Sequence, residues 1–380
     1  MAVCPGIWRF SRTEDRAVVE VDGNDYICVM NAIIITILAA LVQYVNPFVG
    51  TDAHGHTFPG AVYPFGMIQL SPDTRPNPGD WDGCSGYHYS DSLIYGFSHT
   101  HLSGTGCDDW CDILITPRGK PSRFSHEKEK ASPGYYEVYL EDTKTMARLS
   151  SGRRSAIHEY SCPNGVWISI DLAHRDHLED YDIHVDGNAC YGYRISNSWA
   201  QHQRVYFYME FSQPAGSCDM DGAKADVYFK TPALTVRIGI SSVSWENARA
   251  NLYSDYPKSV KALKKATEKA WNAYLSKLEC PYKDKEHKTR FYTALYHTAI
   301  HPTLYSDVNG EYRGMDGKVH KADGWDRYTV FSLWDTFRGL HPLLMEIEPE
   351  RSVDFIRSML SIYDEAGKLP VWEQIGRAHV

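Results

Sequence analysis

Two stretches of this chain set large rings beside carboxylates. In Trp81-Asp82-Gly83-Cys84-Ser85-Gly86-Tyr87-His88-Tyr89 they sit in a glycine-rich turn, which suits stacking one sugar face on the indole while Asp82 bonds its hydroxyls. The alternative reading is a packing role for Trp81. In Trp334-Asp335-Thr336-Phe337-Arg338, helical spacing puts Trp334 and Arg338 on one face with Asp335 beside them. Buried together, Asp335 and Arg338 would instead be an internal ion pair.

The region from Asn46 to Trp110 also carries two His-x-His pairs, His54/His56 and His99/His101. On a strand such a pair points to one face and presents two metal ligands. Gly55, Gly60, Gly83, Gly86, Gly104 and Gly106 read instead as tight loops at a rim, where histidines orient loops or touch ligands. No third ligand stands at a metal spacing, so no metal residue is assigned. The nine cysteines show no paired CxxC pattern, and an odd number leaves at least one unpaired. Cys107 and Cys111 read either as a local disulfide or as buried thiols.

These groups need a scaffold, and 380 residues suffice for two domains with sizeable cores. With 48 acidic against 39 basic residues and 43% hydrophobic content, the chain lacks a nucleic-acid footprint, a disordered tail or a polytopic membrane pattern. A neutral partner fits better. The aromatic content of 13%, much of it beside Gly, Asp and His, suits either sugar binding or ordinary sheet packing.

From Tyr44 to about Tyr253 short runs alternate apolar and polar residues, as in Val205, Phe207, Met209 and Phe211 or Leu234, Val236, Ile238 and Ile240. Turn signals such as Pro133-Gly134 and Asp186-Gly187-Asn188 separate them without a helix, which predicts an antiparallel β-sandwich over 44–254. The period then lengthens at Val260, Leu263, Thr267, Trp271, Tyr274 and Leu278, giving an amphipathic connecting helix within a linker over 255–284. Further helices are expected over about 286–298, 329–340 and 350–363, the last opened by Pro349 and closed by Gly367. They mark the start of a helical second domain over 285–373, in which the chain is expected to stop.

Residues 1–43 read as a signal-like or mis-assigned leader. The run from Ile27 to Val42 is apolar apart from Asn31 and has the length of a signal-peptide core, although Asp22 and Asp25 stand where basic residues belong. Met30 as the true start, or a buried first strand or helix, are the alternatives. At the other end, Ile375-Gly376-Arg377-Ala378-His379-Val380 reads as a translation of ATC GGA AGA GCA CAC GTC, the start of a common sequencing adapter, so the native sequence is expected to end near Glu373.

The ordered motifs resemble glycoside hydrolase family 92, the calcium-dependent exo-acting α-mannosidases. They are Val45-Asn46-Pro47-Phe48-Val49-Gly50-Thr51, His54-Gly55-His56-Thr57-Phe58-Pro59-Gly60-Ala61, Pro64-Phe65-Gly66-Met67 and the Trp81 turn, then Gly96-Phe97-Ser98-His99-Thr100-His101-Leu102-Ser103-Gly104-Thr105-Gly106, Tyr312-Arg313-Gly314-Met315-Asp316 and Ser332-Leu333-Trp334-Asp335-Thr336. The resemblance implies a β-sandwich joined by linker helices to an (α/α)6 barrel, incomplete here. It also implies inverting hydrolysis of terminal mannose from glycans by a Glu acid and an Asp base, with α-1,2 the first linkage to consider, and export to a secreted, periplasmic or cell-surface location. Inversion needs carboxyls roughly 6.5–9.5 Å apart. The catalytic pair and most calcium ligands are expected beyond these residues, so this chain is expected to be inactive alone. By resemblance Trp81 lines the leaving-group subsite and Asp335 bonds hydroxyls of the departing mannose. Trp334, Arg338, Asp82 and His99 are read as their neighbours, and Trp372 and Glu373 as facing the cavity, Glu373 not being the acid. A sandwich acting alone as a carbohydrate-binding module, or another barrel hydrolase or phosphorylase, are competing readings.

Overall fold

A computed structural model describes residues 41–370, together with the backbone of two short hairpins, Phe10–Thr13 with Arg16–Val19 and Trp372–Gln374 with Arg377–His379. The remainder of the leader-like segment and the side chains of Trp372, Glu373 and the last six residues lie outside the described residues.

Alternation in the sequence becomes two antiparallel sheets. The eight-stranded sheet runs, in spatial order, His177–Asp186, Ala189–Asn197, Gln203–Phe211, Ala233–Ser241, Ser155–Ser161, Thr145–Ser151, Tyr135–Leu140 and Glu129–Ser132. The seven-stranded sheet runs Ser217–Asp221, Lys224–Tyr228, Trp167–Asp171, Leu114–Pro117, Gly96–Ser98, Gln69–Asp73 and Ala61–Val62. In Gln203–Phe211 every second side chain is buried, and Val205, Phe207, Met209 and Phe211 all point into the core. Because the side-chain period of a strand is two, that alternation locks the register: a slip of one residue would turn all four to solvent. Rings bridge the two layers, with Phe97 from the smaller sheet packing at 6.4 Å on Tyr136 and 6.2 Å on Tyr160 from the larger.

A helix the strand reading missed, α1 (Trp245–Ser254), lies inside the stretch assigned to the sandwich. Ser244 caps it by accepting the Asn247 amide, and only Ala248, Asn251 and Leu252 of it are buried. The linker helix α2 (Val260–Leu275) has the expected face, with Val260, Leu263, Thr267, Trp271 and Tyr274 buried and Ser259 as its cap. Helix α3 (Lys285–His297) also follows the sequence pattern and is capped by Asp284.

Beyond α3 the expected helix over 329–340 does not form. Thr329 pairs with Thr303 in a two-stranded sheet, Val330 takes a positive φ of 65°, and only one turn, α4 (Leu333–Thr336), is helical. A β-branched residue held at positive φ cannot continue a right-handed helix, so the apolar spacing there is used by a bend. Helix α5 (Leu340–Ile347) follows, then α6 (Pro349–Ala366), which starts on Pro349 and ends on Gly367 at φ 73° as the sequence indicates. A second small sheet pairs Glu311–Arg313 with Val319–Lys321. One apolar cluster runs unbroken from Val45 through both sheets to Trp271, Tyr296, Phe355 and Ile362, so sandwich and helices share a core. Among the described residues no helix is long and apolar enough to cross a membrane.

Candidate functional site

Two separate clamps hold the Trp81 turn. Arg75 donates to Asp91 (2.9 Å) and to Asp80 (3.1 Å), fixing the turn's entry. From beneath, the Arg175 guanidinium donates to the carbonyls of Gly83 (2.6 Å), Cys84 (2.9 Å) and Arg75 (3.0 Å). A planar guanidinium satisfies several carbonyls of a tight turn at once, which lets a buried loop keep a fixed shape. Trp81 itself is 58% exposed, steadied by the His56 ring edge-on at 4.7 Å. Burial lowers the pKa of His56, so a neutral ring backs the indole.

Trp81 and Asp335 of α4 both line a cavity of about 450 Å³. The volume is that of a small-molecule site. Between them the lining includes Gly104, Gly106 and Cys107 of the glycine-rich loop, Trp199, and His297, His301 and His341 from the helical part. Asp335 accepts the Ser332 hydroxyl at 2.6 Å and is otherwise exposed. That leaves a carboxylate with free lone pairs at the mouth of an aromatic hollow, a geometry suited to sugar hydroxyls.

The remaining sequence candidates separate. Asp82 pairs with His54 Nδ1 at 2.5 Å, and that hydrogen bond holds its carboxyl below the usual range; Asp82 does not line the cavity. Trp334, 70% exposed, and Arg338, which covers the Phe337 ring at 5.2 Å, are on the outer surface away from it. Asp335 and Arg338 are both exposed and form no ion pair with each other. His99 is a correction of larger kind. It has no solvent exposure, donates from Nδ1 to the Ile113 carbonyl (2.8 Å) and accepts at Nε2 from His158 (2.9 Å), whose Nδ1 accepts the Tyr160 hydroxyl. Burial drops the His99 pKa to about 4, so it is a neutral, satisfied core residue rather than a sugar ligand. The His-x-His pairs do not act as pairs: His54 is at the surface and His56 behind Trp81, while His99 and His101 turn to different partners. Cys107 and Cys111 are both buried and are not bridged to each other.

Three lining residues escaped the sequence reading. His297, at the end of α3, and His301 keep both ring nitrogens shielded from solvent and without a hydrogen-bond partner, and burial takes each pKa to about 4. Shielded in this way, the two neutral rings serve as cavity wall rather than as hydrogen-bonding partners. Their His-x3-His spacing at a helix end was the available signal. Trp199 is set by Asp109, which accepts the Ala200 amide at 2.6 Å.

Asp335 is the sole carboxylate among the described cavity-lining residues. Calcium takes about 6–8 oxygen ligands, several of them carboxylate. The residues present therefore do not make a calcium site on their own, and no step is derived through that ion.

Comparison with known proteins agrees with this architecture. The model of the glycosyl hydrolase family 92 N-terminal domain matches residues 44–247, and that of the family 92 catalytic domain matches 247–380. Among solved structures, the family GH92 α-mannosidase BT3965 from Bacteroides thetaiotaomicron superposes with a TM-score of 0.83 at 34% identity, over 89% of this chain and 52% of that one. The inverting mannosidase BT2199 of the same organism gives 0.79 at 29% identity, over 89% and 50%. A curated relative described as an uncharacterized secreted glycosidase, from Arthroderma benhamiae, is 30% identical over 141 residues, 33% of this chain and 18% of that protein. The chain thus spans about half the length of the solved structures it matches. With the two family models together matching residues 44–380, and the sandwich, linker helix and cavity laid out as described, the chain belongs to glycosyl hydrolase family 92.

Proposed function

We propose that this chain supplies the mannose-recognition wall of an exported exo-acting α-mannosidase, with Trp81 stacking on the leaving-group sugar and Asp335 bonding hydroxyls of the terminal mannose. The observation that carries the reading is that Trp81 and Asp335, from opposite parts of the fold, line one cavity. A structure of BT3965 in complex with mannoimidazole, 35% identical to this chain, supports the sugar class. His297 and His301 add neutral ring wall to the same cavity. Calcium dependence, inversion, a preference for α-1,2 linkages and a helical part that begins an (α/α)6 barrel complete the proposal at family level.

Inverting hydrolysis needs a general acid and a general base roughly 6.5–9.5 Å apart on opposite faces of the sugar. The described cavity offers only Asp335. Residues 1–380 are therefore expected to bind a terminal α-mannoside without releasing mannose. Calorimetric titration of the chain with mannoimidazole tests this, alongside Trp81→Ala and Asp335→Ala. Each variant should weaken binding about tenfold or more, roughly 1.4 kcal/mol. Full affinity in both would overturn the site assignment, and mannose release by the unmodified chain would overturn the expectation of inactivity.

A further inference from the structure

Among the buried side chains that do not line the cavity, four groups converge. Asp73 ends the strand Gln69–Asp73, His101 follows the strand Gly96–Ser98, Cys111 closes the glycine-rich loop, and His174 lies past the strand Trp167–Asp171. Asp73, His101 and Cys111 have no solvent exposure and His174 has 7%. Asp73 Oδ1 lies 2.9 Å from His101 Nε2, and a donor atom from each of Asp73, His101 and Cys111 falls within 4.8 Å of the other two.

We propose that Asp73, His101 and Cys111 form a buried site for a zinc-type divalent ion that fastens the cavity-wall loop to the sheet, separate from the calcium of the proposed reaction. The donor set, one thiolate, one imidazole and one carboxylate, is the mixture that selects zinc over calcium or magnesium, which take oxygen. Zinc bonds of about 2.0–2.3 Å place ligand atoms roughly 3.3–3.7 Å apart, so the three donors need move only by tenths of an ångström to a little over one.

The surroundings match those of a metal ligand set. His101 donates its other ring nitrogen, Nδ1, to the Gln69 carbonyl at 2.8 Å, the arrangement that aims Nε2 of a ligating histidine. Asp73 Oδ2 and His174 Nε2 stand 3.3 Å apart, both buried and neither in hydrogen-bond geometry, so the carboxylate retains coordinating capacity and a neighbour to orient it. Gly86 keeps the space open: a Cβ there would lie 2.3 Å from Asp73 Oδ1 and 2.9 Å from Cys111 Sγ. Cys111 itself holds a positive φ of 62°, with Trp110 at 73° and Ile113 at 59°, so three non-glycine residues accept left-handed backbone to turn the thiol inward.

The test uses the whole chain. Elemental analysis after expression with zinc should find about one zinc per chain, retained in excess calcium. Cobalt(II) added to the metal-stripped protein should give a thiolate-to-cobalt charge-transfer band. Cys111→Ser, or the near-isosteric Asp73→Asn, whichever purifies folded by circular dichroism, should lose that band and bind zinc at least tenfold more weakly. Cys190→Ser, which removes another fully buried thiol, should keep both. An unmodified chain that takes up no zinc and gives no band overturns the proposal, as does a folded Cys111→Ser or Asp73→Asn variant that retains the band. Mannoside binding is measured separately, so failure of the zinc site leaves the sugar reading untouched.

Discussion

The edge of the Trp81 indole rests on the backbone of Gly106, where a Cβ would lie 2.3 Å from ring carbon Cη2. Gly106 is therefore the footing of the aromatic wall. Gly106→Ala should push the ring out of place, because its exposed side can swing while the loop backbone cannot follow. Mannoside affinity should drop about tenfold, roughly 1.4 kcal/mol, measured by calorimetry. The denaturant midpoint should change little, since Trp81 contributes little buried area. Unchanged affinity would mean that the ring does not touch the sugar.

His301 is tied to acid stability. Its folded pKa of about 4 lies below the ordinary 6.5 because burial penalises the imidazolium. The unfolded chain therefore binds the proton more readily, and the stability that a neutral His301 provides is present above pH 6.5 and is lost as pH falls toward 4. His301→Phe should remove about one proton from the acid-side dependence, a slope change of about 1.4 kcal/mol per pH unit between those limits. Urea midpoints at several pH values in that window measure it, and an identical slope in the variant would refute the assignment.

Arg194 is buried between two carboxylates, donating to Asp112 at 2.8 Å and to Asp176. Asp112 also accepts from Thr100 (2.6 Å) and Gln203 (2.8 Å), so this network ties the smaller sheet's loop to the larger sheet. Arg194→Met would strand two acids in the interior at a cost of about 3–5 kcal/mol. Equilibrium unfolding should show that loss, with part of it recovered when Asp112→Asn is added.

Asp109 accepts two amides, from Ala200 at 2.6 Å and Trp110 at 2.8 Å. Asp109→Ala orphans both, at about 1–3 kcal/mol each. Because one of them anchors the turn that carries Trp199, sugar affinity should fall together with the denaturant midpoint. A loss of stability with full affinity would remove Trp199 from the site.

How much of this was legible in the sequence depended on whether neighbours in the chain were also neighbours in space. Strand alternation in Val205 to Phe211 and the Pro349 and Gly367 boundaries of α6 are local signals, and they survived folding. Helix α1 was hidden because it buries only Ala248, Asn251 and Leu252, too few apolar residues to show a helical period; its one clear mark was the Ser244 cap. The spacing of Val330, Leu333, Trp334 and Phe337 imitated a helix that Val330's positive φ forbids. For the cavity, the ring-and-carboxylate motifs pointed to Trp81 and Asp335, which the fold brings onto one hollow. The His-x3-His spacing of His297 and His301 was a faint local signal, but nothing local told that they line the hollow while His99 is sealed in the core, because depth is decided by which sheet or helix covers a residue.

The unbroken apolar cluster from Val45 to Ile362 carries a mechanical consequence. Two bodies that interlock through a common interior share the surface they hide from water, so parting them would expose it and the separation of Trp81 from Asp335 is tied to the stability of the whole core.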